Sequence, residues 1–212
     1  NTIVKYVRAD DADGNVWGVP QTISSGTTPS LAIVNGNPAV AYFDSTGGLK
    51  FVRASDIQGS GWGIPLVIDL NGGYTPDLTV VGGLPTVVYR SPAGGAELGL
   101  FSIRALDASG SAWGTPLLVE NVPGWDVGLL SSAMIAGRPA ITYELTNQAD
   151  NTKHDLRYIR AADATGSAWG TTVQLWPTGG FQPGLAQING QPLVTFSTPG
   201  MGFTPLFVAH LA

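Results

Sequence analysis

The sequence predicts an all-β fold, a small β-propeller of four four-stranded antiparallel blades. A β unit of roughly fifty residues is repeated four times along the 212-residue chain, and no segment has the periodicity of an amphipathic helix. The 29 Gly and 15 Pro residues are spread along the chain, as expected for short strands joined by tight turns. Repeated four-stranded meanders of this period are typical of propeller blades. Half of an eight-bladed ring formed by a dimer is the alternative.

The most regular part of the unit is a hairpin that ends in the dipeptide Trp-Gly. An alternating segment such as Lys50 to Arg53 predicts a half-buried strand, which we name strand C. A turn containing Asp and Gly follows, because an Asp carboxylate accepts backbone N–H bonds and Gly tolerates a positive φ. The second strand of the hairpin, strand D, begins at Trp-Gly. The four copies carry Arg8, Asp11, Gly14 and Trp17; Arg53, Asp56, Gly59 and Trp62; Arg104, Asp107, Gly110 and Trp113; Arg160, Asp163, Gly166 and Trp169.

A second hairpin in each unit predicts strands A and B. It is clearest between Leu31 and Tyr42, where Asn35-Gly36 marks a tight turn between two apolar segments. Equivalent turns lie before Pro85, Pro139 and Pro192. A residue that recurs in every blade is expected to serve the blade itself, so we interpret the repeated Arg, Asp and Trp residues as structural.

These repeats predict a single domain covering residues 1–212. The units run approximately over 3–48, 49–97, 98–155 and 156–204, followed by a closing strand at 205–211. The chain begins with strands C and D and ends with A, B and a further C, so the N-terminal segment is expected to complete the last blade and remove exposed edges. Five copies of strand C for four blades leave three alternatives open: an extra outer strand, a longer repeat protein, or a larger ring shared by two chains.

The block Arg-Ala-x-Asp-x-x-Gly-x-x-Trp-Gly resembles the Asp-box hairpin of β-propellers, although its Asp lies three residues before the Gly instead of two. The complete unit, with Trp-Gly-x-Pro at Trp17 to Pro20, Trp62 to Pro65 and Trp113 to Pro116, is similar to bacterial propeller repeats and to tachylectin-like propeller lectins. The fourth copy departs from this pattern, with Thr172 in place of Pro. The resemblance implies a propeller fold and a bacterial protein that binds sugars or proteins.

Composition narrows the range of partners. The net charge is −5 and the ten Lys and Arg residues form no run, so neither nucleic acid nor an anionic membrane has an electrostatic footprint. No apolar run approaches 20 residues, so we expect no membrane insertion. The absence of Cys excludes disulfides and Cys-ligated metals. We expect no cofactor and no metal, a monomer or a homodimer, and an extracellular or cell-surface location.

Strand direction places the variable B–C and D–A loops at one end of the predicted propeller, where a rigid scaffold usually carries binding residues. Aromatic residues in or beside these loops can stack on sugar rings or anchor a protein, and a cation and an anion lie at equivalent ends of strand B. The predicted ligand-binding residues are Tyr74, Arg90, Trp125, Glu144, Trp176 and Phe181.

The leading hypothesis is a non-catalytic recognition module that binds carbohydrate or protein at this end, with no catalytic residues. One alternative is a glycosidase or sialidase-like hydrolase, because Glu97, Glu120, Asp126 and Glu144 break the repeat and such enzymes need two carboxyl groups. Another alternative is a structural spacer of a bacterial surface repeat protein.

Overall fold

Every regular element in the described part of the chain is a β-strand. The computed structural model describes residues 2–91, 99–198 and 206–210. The strands are β1 (Ile3–Tyr6), β2 (Gln21–Ser25), β3 (Thr27–Val34), β4 (Asn37–Asp44), β5 (Gly48–Arg53), β6 (Leu66–Asp69), β7 (Tyr74–Val81), β8 (Leu84–Arg90), β9 (Gly99–Arg104), β10 (Leu117–Asn121), β11 (Trp125–Ile135), β12 (Arg138–Asn147), β13 (His154–Arg160), β14 (Val173–Trp176), β15 (Phe181–Ile188), β16 (Gln191–Ser197) and β17 (Leu206–His210). Within these ranges, no helix is long and apolar enough to span a membrane.

The strands form five antiparallel sheets. Strands β3 to β6, β7 to β10 and β11 to β14 each form a four-stranded meander, so the predicted strands A, B, C and D are confirmed in three sheets. The first sheet contains only β1 and β2, and the last contains β15, β16 and β17. Each complete sheet therefore begins with strand A and ends with strand D. The predicted repeats begin with strand C, so their boundaries are shifted by two strands from those of the sheets.

The predicted count of four complete blades differs from this arrangement. Strand β17 pairs with β16, with Val194 opposite Ala209, and so occupies the C position of the last sheet. Strand β1, which we expected to complete that sheet, pairs with β2 instead. The physical reason is that the edge of β16 accepts the next suitable strand along the chain, which leaves no free edge there for β1.

Successive sheets are joined where their inner strands β3, β7, β11 and β15 lie side by side. At each junction a side chain of one inner strand accepts a backbone N–H of the next. The three bonds are Leu78 N to Ser30 Oγ at 2.9 Å, Ser132 N to Asp77 Oδ2 at 2.6 Å and Leu185 N to Ser131 Oγ at 3.2 Å. We call these bonds the inner-strand clamps. They provide partners for amides that would otherwise lie at an open strand edge.

The repeated Trp residues join the same sheets farther from the centre. Trp62 makes an edge-to-face contact with Tyr6 of the preceding sheet, with ring centroids 5.2 Å apart. Trp113 makes the equivalent contact with Phe51 at 5.0 Å, and its indole N–H donates to Gly110 O. These contacts add aromatic packing to each junction.

The two terminal sheets each lack one neighbour within the described chain. Trp17 donates its indole N–H to Gly14 O but is 58% exposed, because no described sheet lies before β1. At the other end Ile188 is 53% exposed, whereas the equivalent Val34, Val81 and Ile135 are at most 1% exposed. The inter-sheet contact, and not the residue type, therefore determines burial at these positions.

The repeated Asp and Arg residues support the turns, as the sequence indicated. Asp107 accepts the N–H groups of Ser111 and Ala112, and hydrogen bonds from the hydroxyls of Ser109 and Ser111 lower the pKa of its carboxyl. Arg53 donates from Nε to Val34 O at 2.8 Å, beside the A–B turn of its own sheet. Both residue types therefore satisfy polar groups of their own blade.

We predict that Trp113→Ala and Trp17→Ala have unequal effects on stability. Loss of the Phe51 contact should lower the free energy of unfolding by about 2–3 kcal/mol, somewhat less than for a fully buried indole. Trp17 has the same hydrogen bond but little packing, so its replacement should cost about 1 kcal/mol or less. Equilibrium denaturation measures both values, and equal losses would contradict the inter-sheet role of Trp113.

Candidate functional site

The ends of strand B and the beginnings of strand A meet at the end of the fold that carries the B–C and D–A loops. Phe43, Arg90 and Glu144 occupy equivalent positions near the ends of β4, β8 and β12. Tyr74, Asp126 and Phe181 lie at or next to the first residues of the inner strands β7, β11 and β15. We call these six residues the inner rim. The repeat thus places different chemistry at equivalent points of successive sheets.

Three side chains of the inner rim form a stack. The rings of Phe43 and Tyr74 are 4.1 Å apart and nearly parallel. The guanidinium of Arg90 lies over the Tyr74 ring, 5.1 Å from its centroid, in a cation–π contact. Since Tyr74 is engaged by both a ring and a cation, it is better placed to orient Arg90 than to offer an open surface for stacking on a sugar.

Arg90 is a half-buried cation without a hydrogen-bonded acceptor among the described residues. Among the described residues, its buried Nε–H has no partner and no carboxylate lies within ion-pair distance. Burial lowers the pKa of the Arg90 guanidinium, and the nearby charges of Asp126, Tyr74 and Glu144 act in the opposite direction. A buried donor without a partner is costly, so Arg90 presents unused hydrogen-bonding capacity at the inner rim.

Glu144 holds two inner strands with one carboxyl group. Its Oε1 accepts the N–H of Leu129 at 2.9 Å and its Oε2 accepts the N–H of Gln182 at 3.0 Å. Leu129 lies in the bulge of β11, and Gln182 lies in the bulge of β15 with a φ of 51°. A Cβ at Gly128 would lie only 2.2 Å from Glu144 Oε1, so glycine is required for this approach.

Asp126 lies beside Glu144 on the same face of the sheet. It is directly opposite Thr146 in the β11–β12 ladder, two residues beyond Glu144. Residues diagonal to each other in this way are about 7–8 Å apart. Asp126 Oδ1 accepts Gln148 Nε2 at 2.9 Å, and Oδ2 forms no hydrogen bond within the described residues. One carboxyl oxygen of Asp126 is therefore free to contact a ligand.

Phe181 closes the opposite side of the inner rim. Its ring makes an edge-to-face contact with His154, with centroids 4.5 Å apart, and Thr146 Oγ1 lies 3.1 Å from His154 Nδ1. All six predicted ligand-binding residues lie at this end of the fold, and four of them, Tyr74, Arg90, Glu144 and Phe181, belong to the inner rim.

The other two predicted residues, Trp125 and Trp176, lie at the same end but outside the inner rim. Trp125 begins β11 but packs against a buried cluster that includes Val122 and Val127. Trp176 ends the outer strand β14, and its ring lies 5.9 Å from that of Phe196 in the next sheet. The cluster covers Trp125 in part, whereas Trp176 remains 37% exposed.

The position of Trp176 has an equivalent at each junction. Asp69 stands at this register position in β6 and accepts the hydroxyl of Tyr89 in the next sheet at 2.7 Å. Burial, followed by this bond to Asp69, raises the pKa of the Tyr89 hydroxyl. At the last junction an aromatic pair, Trp176 and Phe196, replaces the hydroxyl–carboxylate pair. Trp176 therefore joins two sheets.

The four non-repeat carboxyl groups of the hydrolase alternative also separate. Glu97 lies outside the described residues. Glu120 accepts Arg157 Nη1 at 2.9 Å and Thr172 Oγ1 at 3.0 Å, so it is held in an ion pair between sheets. Asp126 and Glu144 remain at the inner rim. Within the described ranges, no group of three acidic or His side chains is arranged to hold a metal ion.

Asp77, which the sequence pattern did not single out, forms two contacts with its carboxyl at the centre of the fold. It accepts Ser30 Oγ at 3.1 Å as well as the clamp bond from Ser132. The signal was present in the equivalence of Ser30, Asp77 and Ser131, which are polar residues at one register position of otherwise apolar inner strands. Because both its oxygens are engaged, Asp77 contributes to the scaffold of the site.

Asp44 forms a second buried polar group next to Phe43. It accepts Lys50 Nζ at 2.5 Å and the N–H of Thr46 at 2.9 Å. The hydrogen bond from Lys50 is the largest cause that lowers the pKa of the Asp44 carboxyl to about 2, and the bonds from Thr46 act in the same direction. These contacts fix the connection between β4 and β5.

Comparison with solved structures identifies proteins of similar fold. An α-L-arabinanase of Penicillium chrysogenum complexed with arabinobiose superposes with a TM-score of 0.63 at 17% identity, over 98% of this chain and 70% of that one. An α-L-arabinofuranosidase from Lactobacillus brevis gives 0.58 at 12% identity, over 88% and 68%. The Bacteroides ovatus protein described as xyloglucan PUL GH43B gives 0.56 at 17% identity, over 88% of this chain but only 38% of that one. No protein-family model and no curated protein sequence matches the chain.

These comparisons establish a β-propeller-like fold and change the functional interpretation. The predicted propeller architecture is confirmed, whereas the resemblance to tachylectin-like lectins and Asp-box repeats finds no support among these structures. Our leading hypothesis of a non-catalytic recognition module was wrong, because proteins that share the fold are glycoside hydrolases. The repeated turns dominated the sequence signal and carried information about the fold only.

We predict that Glu144→Gln lowers the free energy of unfolding by about 1–3 kcal/mol. Glutamine has a single acceptor oxygen, so its amide NH2 would face either Leu129 N–H or Gln182 N–H. Chemical denaturation measures the loss. Asp13→Asn is the matched control, since Asp13 is exposed and forms no hydrogen bond within the described residues, and it should be neutral.

We also predict an acid-dependent loss of stability due to Asp44. The pKa of Asp44 lies at about 2 in the folded protein against an ordinary value of 3.8, so its contribution is complete above the ordinary value and is lost as the pH falls towards 2. Asp44→Asn should lower the melting temperature at neutral pH and reduce the decline between pH 5 and pH 2. An unchanged pH profile in the variant would contradict this assignment.

Proposed function

We propose that the protein is a glycoside hydrolase and that its reaction takes place at the inner rim. The observation that carries this proposal is the position of Asp126 and Glu144 on one face of adjacent strands, next to the unpaired cation Arg90. The similarity of the fold to arabinan-, arabinofuranoside- and galactan-degrading enzymes supports it.

The spacing of the two carboxyl groups suits one of the two common mechanisms. Inverting glycosidases hold their carboxyl groups about 6.5–9.5 Å apart, which leaves room for a water molecule, whereas retaining enzymes need about 5–5.5 Å. In a ladder, the diagonal register of Asp126 and Glu144 sets their Cα atoms about 7–8 Å apart, a spacing from which the two side chains can reach the inverting separation. Direct displacement by water with inversion at the anomeric carbon is therefore the mechanism that we propose.

The hydrogen bonds suggest how the two roles are divided. Each oxygen of Glu144 accepts one N–H group and keeps a second lone pair, and unlike Asp77 this residue stands at the inner rim, where it can orient water and take its proton. Asp126 has a free Oδ2, which can deliver a proton to the leaving oxygen. Arg90, oriented by Tyr74, can donate to a sugar hydroxyl and place positive charge beside the reacting centre.

A glycoside hydrolase acts on carbohydrate, so carbohydrate is the proposed partner. An extracellular or cell-surface location stays a prediction. The monomeric or homodimeric state also stays a prediction, which a mass measurement in solution addresses. A spacer role gives no reason for an unpaired half-buried Arg90 beside two carboxyl groups.

We predict that Asp126→Asn lowers hydrolysis of natural glycosidic linkages by about 10²–10⁴-fold, because no acid remains for the leaving group. Nitrophenyl glycosides leave without protonation, so their hydrolysis should fall much less. Turnover of arabinan, arabinoxylan, galactan and the corresponding nitrophenyl glycosides measures both effects.

Asp163→Asn is the matched control, because this carboxyl serves a turn at the opposite end and should leave turnover unchanged. Equal losses for both substrate types would refute the acid role of Asp126. Complete absence of hydrolysis by the wild-type protein across the panel would refute the proposed function.

A further inference from the structure

We infer that a groove beside the inner rim binds further units of a neutral oligosaccharide, so that the substrate is a sugar chain and not a single terminal sugar. This inference rests on the proposed function, since the groove extends the same site. We call it the loop groove. It flanks the connection between β4 and β5, at the end of the fold where the inner rim lies.

Two adjoining cavities make up the loop groove. One has a volume of about 220 Å³ and reaches Asn71 and Tyr74, and the other has a volume of about 410 Å³ and reaches Thr2 and Ser25. Both are lined by Phe43, Ser45 and Thr46. Phe43 and Tyr74 line the groove and also belong to the inner rim, and Tyr74 contacts Arg90. The groove and the inner rim are therefore adjacent.

The lining offers the contacts that sugar hydroxyls require. The side chains of Ser25, Thr27, Ser45 and Asn71 form no hydrogen bonds within the described residues, so their hydroxyl and amide groups are available. Phe43 supplies an apolar ring between the two cavities. Polar groups with an aromatic surface are the usual combination for carbohydrate recognition.

The charge of the lining favours a neutral ligand. Asp44 is the ionisable acid that lines the groove, and Lys50 and Thr46 already engage it. No uncompensated charge therefore faces the groove among its lining residues. A sugar chain that carries carboxylate or sulfate groups would gain no ion pair there and would lose hydration.

Cavities at the opposite end have a different character. Two crevices there are lined by equivalent residues of successive junctions, for example Arg53 with Gly110 in one and Arg104 with Gly166 in the other. This recurrence is typical of the packing of one sheet against the next. The loop groove instead combines loops that differ between the units.

Ser45→Trp tests the inference by filling the groove at a residue that lines both cavities and is exposed. The ratio of kcat/KM for the hexasaccharide to that for the disaccharide should fall at least tenfold, for the arabino-, xylo- or galacto-oligosaccharide that the protein hydrolyses. Ala164→Trp places the same side chain on an exposed turn at the opposite end and should leave the ratio unchanged. Thermal denaturation verifies that both variants are folded.

Binding separates this inference from the proposed function. Titration calorimetry of Asp126→Asn with the same oligosaccharides should give at least tenfold tighter binding of the hexasaccharide than of the disaccharide, and Ser45→Trp added to that variant should abolish the difference. Length-dependent binding without hydrolysis by the wild type would sink the proposed function and leave the groove intact. Hydrolysis without any dependence on chain length would overturn the groove.

Discussion

Contact between successive sheets is the interaction on which the rest of this structure depends. A four-stranded sheet of this size has two faces and cannot bury its own apolar side chains, so each sheet relies on the next for packing. Tyr42, Tyr89 and Tyr143 are fully buried only because strand B of one sheet faces the outer strands of the preceding one. The inner-strand clamps then fix the sheets at the centre, where a side chain of one sheet satisfies a backbone N–H of the next.

Because these contacts hold the sheets together, the residues at one end of the fold are free to vary. The turns between strands A and B and between C and D carry the same Gly, Asp and Arg residues in successive copies, because each satisfies polar groups of its own blade. At the other end Phe43, Arg90, Glu144 and Ser197 occupy one equivalent position and share no chemistry. The repeat supplies the geometry there, and the residue at this position differs from sheet to sheet.

The side chains of the inner rim are held by contacts between sheets. Glu144 joins the bulges of β11 and β15, and this fixes the orientation of its carboxyl group. The Tyr74 ring contacts both Phe43 and Arg90. This contact orients the Arg90 guanidinium and leaves its positive charge in place. The ring contact between Trp176 and Phe196 serves the fold, because it joins two sheets. Whether a side chain serves the fold or the ligand is decided by what the neighbouring sheet leaves uncovered.

The sequence by itself determined the strands, the turns and the fourfold repeat, because alternation of apolar residues and turn chemistry are local properties of the chain. It also brought Tyr74, Arg90, Glu144 and Phe181 to one end, since strand direction alternates predictably along a meander. Only the tertiary structure decided that β17 occupies the edge of β16, that Trp125 packs against a buried cluster and Trp176 contacts Phe196, and that Asp126 lies diagonal to Glu144. These outcomes depend on pairing and packing between segments far apart in the chain, and a pattern of local residue types does not encode them.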